Sequence, residues 1–264
     1  MATITPPKTV NSRTTASNIT ASCTTAYQPP AAKTVNSRQR VIDHGEVFTP
    51  DWLLKDMLDL VGHEFDRLEP RFLEPACGEG NFLYEVLFRK LRRVSDFHPR
   101  SSLKWQRDAI LSVSTIYGID LLADNVAICR QRLLKIVCDR YIERFKTPLP
   151  EATARTAGYI LSKNIVHGDA LTLRTSEDQP IIFPEWAFIG GNTVKRRDFT
   201  FAQLLERPDL KCPTLFDNQS QERFVNDHGD DVFVPTPVAE YRPCHYLKLA
   251  DAEHLRINDA EGTA

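Results

Sequence analysis

Three carboxylates and a pair of glycines are spaced through the middle of this chain in a way that suits a small polar ligand. Phe72, Leu73, Glu74, Pro75, Ala76, Cys77, Gly78, Glu79, Gly80 and Asn81 read as a short buried strand, a glycine turn and the start of a helix. Glycines straight after a buried strand let the backbone turn sharply and approach a ligand, and the helix N-terminus offers unpaired N–H groups. Glu74 stands where plain core packing favours Val or Ile. A carboxylate at the end of a buried strand is costly unless it meets a cation or donors, and a ligand ammonium supplies both. Ile116, Tyr117, Gly118, Ile119 and Asp120 close a second strand on an acid able to accept two ribose hydroxyls, although Asp in such a place is also a common turn former. His167, Gly168, Asp169 and Ala170 repeat the scheme, with Asp169 suited to the exocyclic amine of an adenine. An adenosyl group bearing an amino acid, as in S-adenosylmethionine, carries all three partners. The turn is too short for a triphosphate cradle and lacks its Lys-Ser/Thr pair.

The elements that must hold these residues follow from apolar periodicity. Thr49, Pro50 and Asp51 read as N-cap, N1 proline and first-turn acid, followed by Leu54, Met57, Leu58 and Val61 at helical spacing. A strand over 72–76 leads through the turn into a helix with Leu83, Val86, Leu87 and Leu91 inside. A polar, basic insertion over 92–107 precedes a strand over 115–120, and a long helix then presents Val126, Cys129, Leu133, Ile136, Val137 and Tyr141 on one face. A helix over 152–161 and a strand over 164–167 complete a βαβα rhythm, which implies an α/β fold with a parallel sheet. Beyond Asp169 the periodicity weakens. Short strands are expected over 181–183 and 186–189 and a short helix over 201–205.

Composition bounds the rest. The 264 residues are 42% hydrophobic and 26% charged, enough to bury a core. No run approaches a membrane span, and no secretory apolar segment opens the chain, so a cytoplasmic protein is expected. The six cysteines include no CxxC pair, and Cys212, His228, Cys244 and His245 match no common zinc spacing, so no metal is expected. Residues 1–42 are rich in Thr, Ser, Ala, Pro and Asn, contain Lys-Thr-Val-Asn-Ser-Arg twice, and read as a disordered tail. The net charge of -2 does not mark a nucleic-acid binder, so any such role rests on local clusters of Lys and Arg.

The segment from Glu74 to Leu83 resembles the cofactor motif of N6-adenine DNA methyltransferases from restriction-modification systems, in the group whose cofactor half precedes the catalytic motif. His44, Gly45, Glu46, Val47, Phe48, Thr49 and Pro50 are similar to the segment that precedes it there, and Tyr117 to Asp120 and Gly168 to Ala170 follow in the family's order. The resemblance spans about 44–171. It implies a Rossmann-like class I methyltransferase sheet, incomplete in its C-terminal half, with S-adenosylmethionine as cofactor. It assigns Glu74, Ala76, Gly78, Gly80, Asp120 and Asp169 to cofactor binding, with Phe48 and Thr49 closing over the methionine end.

The family's Asn/Asp-Pro-Pro-Tyr/Phe motif, which holds the target adenine, occurs nowhere in the sequence. The nearest counterpart is the apolar and glycine run ending in Asn192, which makes Asn192 the candidate catalytic residue. Lys195, Arg196 and Arg197 follow it as candidate nucleic-acid contacts. The expectation is a disordered tail over 1–42, a methyltransferase-like domain over 43–205 and an irregular polar region over 206–264. Its expected function is adenine-N6 methylation of DNA, with DNA and a specificity or restriction subunit as partners and no membrane. The alternative is a non-catalytic cofactor-binding subunit, or a degenerate homologue regulating DNA modification or phage defence.

Overall fold

Proline has no N–H to lose in a first helical turn, and α1 (Asp51–Leu60) begins directly after Pro50. Pro50 is therefore the N-cap in place of Thr49, and no side chain caps this end. The structure, a computed structural model, describes residues 49–205, 224–225, 231–232 and 235–257. The expected tail and Phe48 lie outside the described residues. Leu54 and Leu58 are buried as α1 packs on the next helix. A 3-10 turn, Gly62–Asp66, then stacks Phe65 on Phe72, ring centroids 5.2 Å apart, at the head of β1 (Phe72–Glu74).

The helix after the glycine turn, α2 (Asn81–Phe97), buries Leu83, Val86, Leu87, Leu91 and Val94, a single stripe at three- and four-residue spacing. The expected insertion over 92–107 is instead mostly helical. α2 continues to Phe97, and α3 (Ser102–Ser114) is capped by Ser101, whose Oγ accepts the Lys104 N–H. Trp105, Ala109, Ile110 and Val113 form a fully buried inner face that the neighbouring basic residues disguise in the sequence. β2 (Ile116–Asp120), α4 (Ala123–Phe145), α5 (Glu151–Asn164) and β3 (Ile165–Asp169) follow. α4 buries the six residues expected of it.

β1, β2 and β3 are parallel, with Phe72 opposite Ile116 and Gly118 opposite Ile165. β4 (Arg174–Thr175) adds to the far side of β3 in the antiparallel sense. The sheet order is β1-β2-β3-β4, so β1 is an edge.

The stretches over 181–183 and 186–189 are one strand, β5 (Ile182–Gly190), which forms a hairpin with β6 (Thr193–Thr200). α6 (Phe201–Leu205) follows as expected. β7 (Phe224–Val225) pairs with β8 (Asp231–Val232), while β9 (Ala239–Tyr241) and β10 (Cys244–His245) join β6, and β11 (Arg256–Ile257) joins β9. The irregular region expected over 206–264 is thus corrected in its described part: three short strands extend the hairpin's sheet, and Tyr246 and Leu249 enter the main core beside α5. Strands of two or three residues leave too short an alternation to read.

Tyr117 and Ile119 pack with Ile181, Phe183 and Phe201, and the Tyr117 hydroxyl donates to the Pro184 carbonyl at 2.9 Å. Ile116 and Ile165 belong to the larger core built by α2 to α5. The protein is a mixed α/β fold, and no described helix is long and apolar enough to cross a membrane.

Candidate functional site

Parallel pairing carries the C-terminal ends of β1, β2 and β3, which bear Glu74, Asp120 and Asp169, to one end of the sheet, and the glycine turn follows β1 there. Asp120 lies opposite His167 in the ladder, with Asp169 two residues further along. The Cys77 N–H donates to the Ile119 carbonyl at 2.9 Å, continuing the β1–β2 ladder into the turn, and the Gly80 N–H closes back on the Cys77 carbonyl at 2.8 Å.

Both glycines are required by conformation. Gly78 has φ of 52° and Gly80 has φ of 83°, in the left-handed region that a side chain disfavours. Gly80 is also crowded: a Cβ there would stand 2.5 Å from the Cys129 Sγ on α4. Gly78 is the opposite case, since no atom lies within 4 Å of where its Cβ would be, which leaves the backbone open to a ligand.

Asp120 is bound into the turn itself. Its Oδ2 accepts the Gly78 N–H at 2.8 Å, while Oδ1 accepts the Leu122 N–H at 2.9 Å and the Asn125 side-chain amide at 3.1 Å. A carboxylate has about four acceptor positions, so about one remains for a ligand hydroxyl, not the two expected. Glu74 is half-buried, and this desolvation raises its pKa, partly offset by the Ala76 N–H at 3.4 Å from Oε1. No described Lys, Arg or His pairs with Glu74. Ala76 contributes that N–H and an exposed methyl group.

Asp169 Oδ1 accepts the Leu171 N–H at 2.8 Å. It borders a cavity of about 310 Å³ shared with Leu121, His167, Thr172 and Arg174. His167 Nε2 lies 3.0 Å from the Leu121 carbonyl, which joins the ends of β2 and β3. A hydrogen bond with Cys129 and burial push the Cys77 pKa above the ordinary thiol range. Among the described residues no cluster of His, Cys, Asp or Glu could hold a metal ion.

The residues expected from the second half of the chain are elsewhere. Asn192 is exposed in the β5–β6 turn, where its carbonyl accepts the Tyr246 N–H at 2.8 Å. β5 pairs with β6 and not with β1. The base of the hairpin joins the end of β3, where the Ile181 N–H donates to the Leu173 carbonyl at 2.9 Å, and β5 then runs toward the opposite ends of the strands: Trp186 donates to Asn164 Oδ1 at 2.9 Å just before β3 starts, and Glu185 pairs with Arg71 at 2.8 Å just before β1 starts. Trp186 is buried against Tyr159, and Phe188 lies under the Arg107 guanidinium, so neither ring is available to stack on a base. Thr49 is exposed ahead of α1, and no described contact ties it to the turn.

The three basic residues after Asn192, expected as nucleic-acid contacts, are each paired with an acid of the chain. Lys195 pairs with Glu240 at 3.0 Å, and Arg197 pairs with Glu185. Arg196 is buried, gripping Asp198 with Nε and Nη2 at 2.7 Å and donating to the Tyr159 hydroxyl at 2.6 Å, with Tyr241 against its face. Burial alone would lower its pKa, but Asp198 more than restores it.

Sequence reasoning also missed Arg132 on α4, which reaches the turn from the side. Its Nη1 donates to the Glu79 carbonyl at 2.9 Å and to Asn81 Oδ1 at 2.7 Å. Its position three residues after Cys129, on the face that meets the turn, was the available signal. Compared with protein-family models, curated proteins and solved structures, the chain matches none.

Proposed function

We propose that this chain binds S-adenosylmethionine at the glycine turn, on a Rossmann-like half-sheet, and serves as the cofactor-holding part of a DNA adenine-N6 methyltransferase system. What supports the reading is that three adjacent parallel strands each end on an acid at one end of the sheet, beside a turn whose Gly78 faces open space. Glu74, half-buried without a described cation, fits the ammonium of the methionine moiety, which would lower its raised pKa. Asp120 retains about one acceptor position for a ribose hydroxyl. Leu121 and Asp169, beside the cavity, suit the face and the amine of an adenine.

The cofactor supplies an electrophilic methyl group on a sulfonium. The chain's own part is to bind and orient it, since in-line displacement depends chiefly on positioning. Adenine N6 is a weak nucleophile whose developing positive charge needs acceptors aimed at it, and one such preorganised group contributes on the order of 3 kcal/mol. Asn192 sits in the hairpin turn, away from Glu74, so we assign the base-facing groups to another polypeptide and DNA contact to the assembled system. The chain alone is then a cofactor-binding subunit.

The reading is tested by thermal unfolding with S-adenosylmethionine and with its demethylated product. Ligand at about a hundred times its Kd stabilises the folded state by about 2.7 kcal/mol, a shift of a few degrees. An unmoved transition with both ligands at millimolar concentration rejects it. Methyl transfer to duplex DNA by the isolated chain would instead reject the subunit assignment.

A further inference from the structure

The glycine turn combines two left-handed residues on either side of Glu79, a backbone that can re-orient its peptide planes at little cost. Besides the backbone hydrogen bonds of Cys77 and Gly80, three side chains hold it. Asp120 fixes the Gly78 N–H, Cys129 fills the space beneath Gly80, and Arg132 takes the Glu79 carbonyl. The third is a single side chain joining turn and helix, because the same Nη1 also takes Asn81 Oδ1 at the first residue of α2. The guanidinium lies over the Tyr84 ring, 5.6 Å from its centroid, and Glu79 Oε2 stands 4.0 Å from Nη1. The N-cap of α2 is Gly80, so no side chain caps that end. The first N–H groups of the helix therefore stay unpaired beside Gly78.

We infer that Arg132 is the positioning residue of the ligand site: by holding the Glu79 carbonyl and the Asn81 side chain against α4, it keeps the turn and the α2 N-terminus open to the bound S-adenosylmethionine. Arg132 touches no ligand in this arrangement. The inference rests on the cofactor reading above. Both hydrogen bonds come from Nη1, while the guanidinium plane covers the Tyr84 ring, a contact that a Lys ammonium replaces only in part.

The test is titration calorimetry of the full chain with S-adenosylmethionine, comparing wild type, Arg132→Met, Arg132→Lys and Asn81→Ala, with the unfolding temperature of each ligand-free protein measured alongside. Arg132→Met is expected to bind about tenfold more weakly, as loss of a charged donor implies. Its unfolding temperature should stay within about 2 °C of wild type, because the contact lies at the rim of the fold. Arg132→Lys should recover part of the affinity, and Asn81→Ala should lose less than Arg132→Met. Wild-type affinity in Arg132→Met overturns the inference and leaves the cofactor reading standing. Affinity and unfolding temperature falling in parallel in every variant also overturn it, since Arg132 would then be merely structural. Absence of binding by wild type overturns the cofactor reading itself and the inference with it.

Discussion

At the scale of single residues, Asp120 is tied into the fold at the very place where we propose that a ligand binds. It was legible as an acid closing a strand and forming a turn, but its bond to Gly78 was not, because that donor is 42 residues away in sequence. Asp120→Ala should therefore destabilise the ligand-free protein by about 1–3 kcal/mol in urea unfolding, the cost of stranding such donors. A carboxylate that only served a ligand would leave ligand-free stability unchanged. Lys90 is a second case, hidden in the sequence by its ordinary spacing on a helix. It is fully buried, and Nζ donates to the carbonyls of Leu68 and Pro70 and to Thr115 Oγ1 at 2.6–2.8 Å, tying the starts of β1 and β2 together. Burial lowers its pKa from 10.5 to about 7, with Glu69 and Glu64 opposing, and the neutral amine, having two N–H bonds, then leaves one of the three acceptors unpaired. Between those values the unfolded chain holds more protons than the folded one, so stability rises with pH through this window by at most about 1.4 kcal/mol per unit. Comparing urea unfolding of wild type and Lys90→Met from pH 6.5 to 9 should show the extra slope in wild type alone. Parallel curves would mean that the three acceptors keep Lys90 charged in the fold throughout.

At the scale of elements, strong periodicity translated well and short pieces did not. The inner faces of α2 and α4 were readable because five or six apolar residues share one stripe. α3 was not, since Ser101, Lys104 and Arg107 gave its start a loop-like, basic character, while Trp105 and Ile110 alone could not establish a period. β5 was split in expectation by Pro184 and Glu185, which a hairpin strand tolerates because Glu185 is neutralised by Arg71 and Arg197. The junction of the turn with α4 yields a direct check. Gly80→Ala places a methyl group against Cys129 Sγ in a left-handed conformation, and should cost about 2–4 kcal/mol. The Cys129→Ala background should recover the steric part of that cost, a coupling of about 1 kcal/mol or more in a double-mutant cycle. Strict additivity would mean that the strain is purely backbone. Likewise Trp186→Phe removes the donor to buried Asn164 and should cost about 1–3 kcal/mol without altering ligand affinity, as befits an anchor at the far end of the strands.

At the scale of the molecule, the candidate site occupies one end of a three-stranded parallel sheet and the β5–β6 hairpin braces the other. The acids that close β1, β2 and β3 were legible because each ends a strand, a pattern local in sequence. The fate of Asn192 and of Lys195 to Arg197 was not, because it depends on pairing with β9, β10 and Glu253, some 40–60 residues onward. Pairing across that distance leaves no local trace. Residues 1–40 have too few apolar side chains to join the core, and their removal should leave ligand affinity unchanged. A markedly weaker ligand in the truncated protein would show that they reach the site. The central claim is tested most directly by amide hydrogen exchange of the full chain with and without S-adenosylmethionine. The expected result is protection over 74–84, 120–123 and 167–172, with exchange over 186–197 unchanged. Protection confined to the hairpin, or none anywhere at saturating ligand, would contradict it.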